Sequence, residues 1–200
     1  GGTVAAIALY AADGRRLAGA GDALPDTGPP AAGDAPYWYG DRPLLALEAP
    51  VQSLASGAPS GRLRLTIDLQ TLAGRALTTL HPWGDGYAWL IDATGRVIWH
   101  PQAAAFARTL TDDAVDHDFA RILRHMRSGD EGSGRYRYTD WRGEHATSVE
   151  KLAGYAPVPL PGSGLALATT VEYARIAGPI RRFALQLLLI GSVLALTLTT

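Results

Sequence analysis

Ala88-Trp-Leu-Ile-Asp-Ala-Thr-Gly-Arg-Val-Ile98 repeats the outline of Ile7-Ala-Leu-Tyr-Ala-Ala-Asp-Gly-Arg-Arg-Leu17. Each stretch reads as an apolar strand, a turn closed by Gly95 or Gly14, an arginine and a second strand. The Thr-Gly and Asp-Gly pairs supply the φ > 0 residue that a tight hairpin needs. Three more matches follow in the same order. Tyr37, Tyr39 and Asp41 pair with Tyr136, Tyr138 and Asp140, and Ala49-Pro50-Val51 pairs with Ala156-Pro157-Val158. Arg62-Leu-Arg-Leu-Thr-Ile-Asp68 pairs with Leu165-Ala-Leu-Ala-Thr-Thr-Val-Glu172. One such match is weak, but four in one order predict a structural duplication.

Each half then offers five strands, two before and three after a variable middle. Arg62, Arg64 and Thr66 alternate with Leu63, Leu65 and Ile67, the period of a half-buried antiparallel strand. The middle of the second half predicts a helix that Thr111 can cap, with Asp112, Asp113, Asp116 and Asp118 at the positive end of its dipole. Val115, Phe119, Ile122, Leu123 and Met126 form its apolar stripe, and Gly129 stops it. The corresponding segment of the first half, Gly21 to Pro36, is Gly, Pro, Asp and Ala, and reads as a loop. The expected class is α+β, as two tandem modules with helices against one sheet face.

Composition narrows the function. At 47% hydrophobic and 18% charged residues the chain can bury a core, and a net charge of −1 gives no electrostatic case for nucleic acid. There is no cysteine, which excludes disulfide frameworks, zinc ribbons and thiol catalysis. His81, His100, His117, His125 and His145 lack metal-ligand spacing, and the acids at 112, 113, 116 and 118 lack the glycine and terminal glutamate of a calcium loop. The serines lack a Gly-x-Ser-x-Gly elbow. No metal, cofactor or catalytic constellation is expected, and the chain does not read as an enzyme.

Phe183 to Thr200 carries no charge over 18 residues. At ~1.5 Å per residue it would reach about 27 Å, near the ~30 Å hydrocarbon thickness of a bilayer. Arg181 and Arg182 stand at its start, where they can snorkel to headgroups. The run predicts a transmembrane helix in contact with membrane lipid. The arginine pair taken alone would put its N-terminal side in the cytoplasm. The chain opens at Gly1 without Met or a signal peptide, as a piece of a longer protein would.

The duplication, the variable middles and the closing apolar run together resemble the double Cache sensor domain. The most specific stretch is Gly86-Tyr-Ala-Trp-Leu-Ile-Asp-Ala-Thr-Gly-Arg-Val-Ile-Trp-His-Pro101, which is similar to the opening of a membrane-proximal Cache module. Gly134-Arg-Tyr-Arg-Tyr138, Gly154-Tyr-Ala-Pro-Val158 and Gly164 to Tyr173 resemble its later strands, and Pro179-Ile-Arg-Arg182 its approach to the membrane. The likeness covers residues 84–200 well and 1–80 more loosely. It implies a membrane-distal PAS-like module over 1–80 without the usual N-terminal stalk helix, a membrane-proximal one over 81–180, and the membrane helix over 183–200.

The resemblance also implies a place and a role: the bacterial inner membrane, with residues 1–180 periplasmic, and a homodimeric receptor passing a small-molecule signal to an output domain beyond Thr200. A sensor histidine kinase is the first expectation. A chemoreceptor, a diguanylate cyclase receptor, or a protein-interaction or spacer module is the alternative. Asp68 matches the family's ammonium-binding aspartate, but the Arg-x-Trp-Tyr signature of amino-acid-binding members is incomplete, because Trp38-Tyr39 is preceded by Pro36 and Tyr37. Alternation puts Tyr37 and Tyr39 on one sheet face and Trp38 on the other. Tyr37, Tyr39 and Asp68 are therefore the expected ligand contacts, in the first module. Phe119, Ile122 and Met126 are expected to fill the corresponding space in the second.

Overall fold

In the computed structural model the described residues are 2–22, 36–102, 109–110, 116–140, 147–160, 162–179, 182–183 and 186–188. Strands β1 (Val4–Ala11), β2 (Arg16–Gly21), β3 (Pro36–Tyr39), β4 (Arg42–Gln52) and β5 (Pro59–Asp68) form one antiparallel sheet. Its order is β2-β1-β5-β4-β3. Helix α1 (Leu69–Leu77) and a single 3-10 turn (Pro82–Gly84) lead to the second sheet. There β6 (Tyr87–Ile91), β7 (Val97–Trp99), β8 (Gly132–Asp140), β9 (Thr147–Pro157) and β10 (Ala166–Glu172) stand in the order β7-β6-β10-β9-β8. Helix α2 (His117–Ser128) interrupts this set between its second and third strands. The two orders are the same permutation, so the duplication seen in sequence is one of topology.

The hairpins that revealed the repeat make matching bonds. Ala11 N–H donates to Arg15 O at 2.9 Å and Gly14 N–H to Ala11 O at 3.0 Å; Asp92 N–H donates to Arg96 O at 3.0 Å and Gly95 N–H to Asp92 O at 2.9 Å. Gly14 has φ 86° and Gly95 φ 85°, where an L side chain is strained. The second turn is also locked by the Asp92 carboxylate. Its Oδ1 accepts from the Thr94 amide (2.9 Å), the Thr94 hydroxyl (2.6 Å) and the Arg96 amide (3.0 Å).

Helix α2 closes the inner face of the second sheet. Asp116, not Thr111, caps it by accepting from the Asp118 amide, and Gly129 ends it in the left-handed region. The acids and Val115 expected ahead of Asp116 lie outside the described residues, as does all but the ends of the loop expected over Gly21 to Pro36, of which Gly21 closes β2 and Pro36 opens β3. Phe119, Ile122, Leu123 and Met126 pack on Trp89, Ile91, Val97, Tyr136, Ala153, Ala166 and Ala168, as the apolar stripe predicts. Full burial of each such aliphatic or aromatic side chain is worth ~1.5–3 kcal/mol before entropy is charged against it. Leu123 is wholly buried.

Sequence reasoning missed α1. Leu69-Gln-Thr-Leu-Ala-Gly-Arg-Ala-Leu77 carries a glycine in mid-helix, which costs about 0.5–1 kcal/mol against alanine. The glycine has a packing reason: a Cβ at Gly74 would stand 3.2 Å from the Trp99 indole nitrogen. Leu69, Ala73 and Leu77 recur every four residues and are the helix's buried stripe. They pack with Leu45 of the first sheet and with Ala88, Leu90, Ile98 and Leu165 of the second. A helical run over 173–179 follows β10 as α1 follows β5. Among the described residues no helix is long and apolar enough to cross a membrane, and most of the expected span over 183–200 lies outside them.

The turn glycines give a graded expectation. A Cβ at Gly14 meets nothing within 4 Å, whereas one at Gly95 meets Leu110 O at 3.0 Å. Gly14→Val should therefore cost ~1–2 kcal/mol from backbone strain alone, and Gly95→Val measurably more. Urea unfolding of the two variants measures both. Equal costs would show that the approach of Leu110 has no energetic weight.

Candidate functional site

Alternation along β5 sends Arg62, Arg64, Thr66 and Asp68 to one face of the first sheet, and register extends that face. Tyr10, Ala8 and Ala6 lie opposite Arg62, Arg64 and Thr66 on β1. Glu48, Ala46 and Leu44 lie opposite Arg64, Thr66 and Asp68 on β4, and Tyr37 lies opposite Leu44 on β3. Tyr39 faces Arg42 one row further on. The three residues read from sequence as ligand contacts thus share one face, with Tyr37 half-buried and Tyr39 45% exposed.

Asp68 is more committed than the sequence reading allows. Its Oδ1 accepts from the Thr71 amide at 2.8 Å and caps α1. Its Oδ2 accepts from Arg42 Nη2 at 3.4 Å, and the same nitrogen lies 2.8 Å from Asp22 Oδ2. The hydrogen bond to Asp22, reinforced by the charges of Asp22 and Asp68, raises the guanidinium pKa of Arg42. This end of the face therefore holds one cation between two carboxylates, beside two phenols. Such a set can pair with an ammonium through the acids and a carboxylate through the arginine. Asp22 and Arg42 were not foreseen, because each stands alone in sequence and only the register brings them to Asp68.

The middle of the face is polar too. Arg64 is 8% exposed and Thr66 4%. Arg64 Nε donates to Glu48 Oε1 at 2.6 Å, and both Arg64 and Arg62 lie over the Tyr10 ring, with guanidinium carbons 5.6 and 5.2 Å from its centroid. The period of β5 correctly marks these positions as polar, but their surroundings are far from open solvent. Trp38 points the other way, as expected. Its indole N–H donates to Asp92 Oδ2 at 2.8 Å across the boundary between the sheets, and Arg96 covers its ring at 3.5 Å.

The second module repeats the frame with different contents. Tyr136 is 3% exposed and stacks on Phe119 with centroids 4.5 Å apart. Burial pushes its phenol pKa up, so it stays protonated, and its hydroxyl lies 3.4 Å from that of Thr170. Lys151 is buried as well, its ammonium donating to the Tyr87 hydroxyl at 3.1 Å and lying 4.2 Å from the centre of the Tyr138 ring. Among the described residues no three His, Cys, Asp or Glu side chains gather as a metal site.

No family model and no curated protein matches the sequence. Solved structures do match the fold. The extracellular domain of mmHK1S-Z3, a protein assigned as a histidine kinase, aligns at TM-score 0.63 and 14% identity over 90% of this chain and 77% of its own. The ligand-binding domain of the Pseudomonas aeruginosa PAO1 amino-acid chemoreceptor PctB, in complex with L-Arg, aligns at TM-score 0.53 and 17% identity over 92% of this chain and 72% of its own. That of the PAO1 chemoreceptor PctC, in complex with GABA, aligns at 0.51 and 21% over 85% of this chain and 75% of its own. Two five-stranded antiparallel sheets in the same permuted order, joined by a helix whose apolar stripe is buried, thus give this chain the α+β fold of two tandem PAS-like modules that the extracellular domain of mmHK1S-Z3 also has.

Proposed function

We propose that this chain is the extracytoplasmic sensing region of a bacterial transmembrane receptor, and that it binds a small amino compound on the inner face of its first sheet. The contrast between the two modules carries the reading. Phe119, Ile122, Leu123 and Met126 fill the second module's inner face, while the first module keeps Tyr37, Tyr39, Asp68 and Arg42 together. A zwitterion needs both signs of charge within a few ångströms, and an apolar cavity would leave its groups unpaired. The pairing of L-Arg with PctB and of GABA with PctC, on the same fold, supports this ligand class.

The residues over 183–200 would carry the signal across the inner membrane, in contact with lipid, to an output domain such as a histidine kinase, and the working unit would be a homodimer. The solved structures of this fold in complex with L-Arg or GABA are ligand-binding domains, which supports a sensing rather than a catalytic role, and catalysis would belong to the output domain. A spacer role is the competing reading, favoured by the tie between Asp68 and Arg42, which a ligand would have to share or break.

Calorimetry with L-arginine, L-glutamine and GABA tests the site. Asp68→Asn keeps a capping oxygen for α1 but loses the charge, and should weaken binding at least tenfold, about 1.4 kcal/mol. Tyr136→Phe should leave binding unchanged. The opposite pattern would move the site to the second module, and no binding by any of the three would favour the spacer role.

Orientation has its own test. Leu54, at the β4–β5 turn, is fully exposed, and residues 1–200 contain no cysteine of their own. Leu54→Cys in the intact receptor should react with an impermeant maleimide in unbroken spheroplasts. Reaction only after lysis would reverse the topology.

A further inference from the structure

The inner face of the first sheet is electrically divided. Around Arg42 one cation meets two carboxylates, Asp22 and Asp68. Toward the hairpin tips two cations, Arg62 and Arg64, converge on the single carboxylate of Glu48. Glu48 is taken mainly by Arg64, whose Nε sits 2.6 Å from Oε1, while Arg62 Nε stands 3.7 Å from Oε2. That second separation is an ion pair but not a hydrogen bond. Arg62 Nε is the one buried side-chain polar atom among the described residues left without a hydrogen-bond partner. Buried donors in folded proteins are almost always satisfied, so an orphan of this kind marks a place where another acceptor belongs.

The geometry points to an oxyanion subsite, for a carboxylate or phosphoryl group, formed by Arg62 with Arg64 over Tyr10. Two guanidiniums lie against one aromatic ring, 5.2 and 5.6 Å from its centre, an arrangement that orients their planar N–H forks. Such forks match carboxylate and phosphate oxygens two at a time. Arg64 is 8% exposed and tied to Glu48, so it contributes charge and holds the floor; Arg62, whose side chain is 40% exposed, is the group an incoming anion reaches. The subsite is separate from the amino-compound site. Arg64 is four residues from Asp68 along β5, about 13 Å at ~3.3 Å per residue, and Arg62 about 20 Å. No α-amino acid spans that distance with its ammonium and carboxylate.

The test uses the 200-residue chain with succinate, citrate and inorganic phosphate, each against chloride at matched ionic strength, followed by thermal shift and calorimetry. At least one of the three should raise the melting temperature and bind with a millimolar or tighter Kd. Succinate and citrate identify a carboxylate subsite, phosphate a phosphoryl one. Arg62→Gln should weaken that binding at least tenfold, and Arg62→Lys should not restore it, because an ammonium lacks the fork. Glu48→Gln removes the competing carboxylate and should strengthen binding severalfold. Asp68→Asn should leave it unchanged, which separates this subsite from the amino-compound site. No response to any of the anions beyond chloride, an Arg62→Gln variant with unaltered affinity, or a Glu48→Gln variant that binds no better than the parent would each overturn the subsite.

Discussion

Helix α1 is the element on which the arrangement of the two modules depends. Its stripe of Leu69, Ala73 and Leu77 is shared, since the first sheet offers Leu45 to it and the second offers Ala88, Leu90, Ile98 and Leu165. A nine-residue helix is too short to persist in water unaided. Burial of that stripe between two sheets stabilises it, and in return it covers apolar residues on the backs of both. The start of the helix is fixed by Asp68, the last residue of β5, so a single residue ends a strand, caps a helix and faces the candidate site.

Much of this architecture is legible in the sequence because a duplication is its own control. Gly14 and Gly95 were readable as φ > 0 turns, and their hairpins make equivalent bonds. Period-2 alternation puts Tyr37 and Tyr39 together and sends Trp38 away, and the 3.6-residue spacing of Phe119, Ile122, Leu123 and Met126 matches the face of α2 that packs on the second sheet. What escaped was non-local. Gly74 lowers the helical signal of α1 and is explained only by Trp99 25 residues later. The tie from Arg42 to Asp22 and Asp68 joins three strand ends that nothing in the linear order connects. The polar side of β5 was legible as polar, but not as an enclosed surface, because enclosure depends on neighbours in β1 and β4.

The two sheets show how one scaffold supports unlike interiors. Strand order and hairpin geometry are held in common, and both depend mainly on backbone bonds and turn residues. The inner faces are free to diverge, since any side chain at those positions meets only its own module's contents. In the second, Phe119 and Tyr136 stack and Trp89 reaches Thr170 through a 3.0 Å hydrogen bond, giving a closed interior. In the first, the corresponding face carries arginines, acids and phenols.

Strand β3 is only four residues long, and its side chains belong to two different worlds. Tyr37 and Tyr39 stand on the polar face of one sheet, while Trp38 is hydrogen-bonded to Asp92 of the other. Successive side chains of a strand leave a single backbone in opposite directions, so the strand behaves as a short axle with a crank at each side. It cannot roll to move the tyrosines without swinging the indole. The far end of that indole is seated on a carboxylate whose other oxygen already takes three donors from its own turn, and so has little freedom to follow passively. Torsion at the edge of the first sheet is therefore geared directly to the β6–β7 turn of the second.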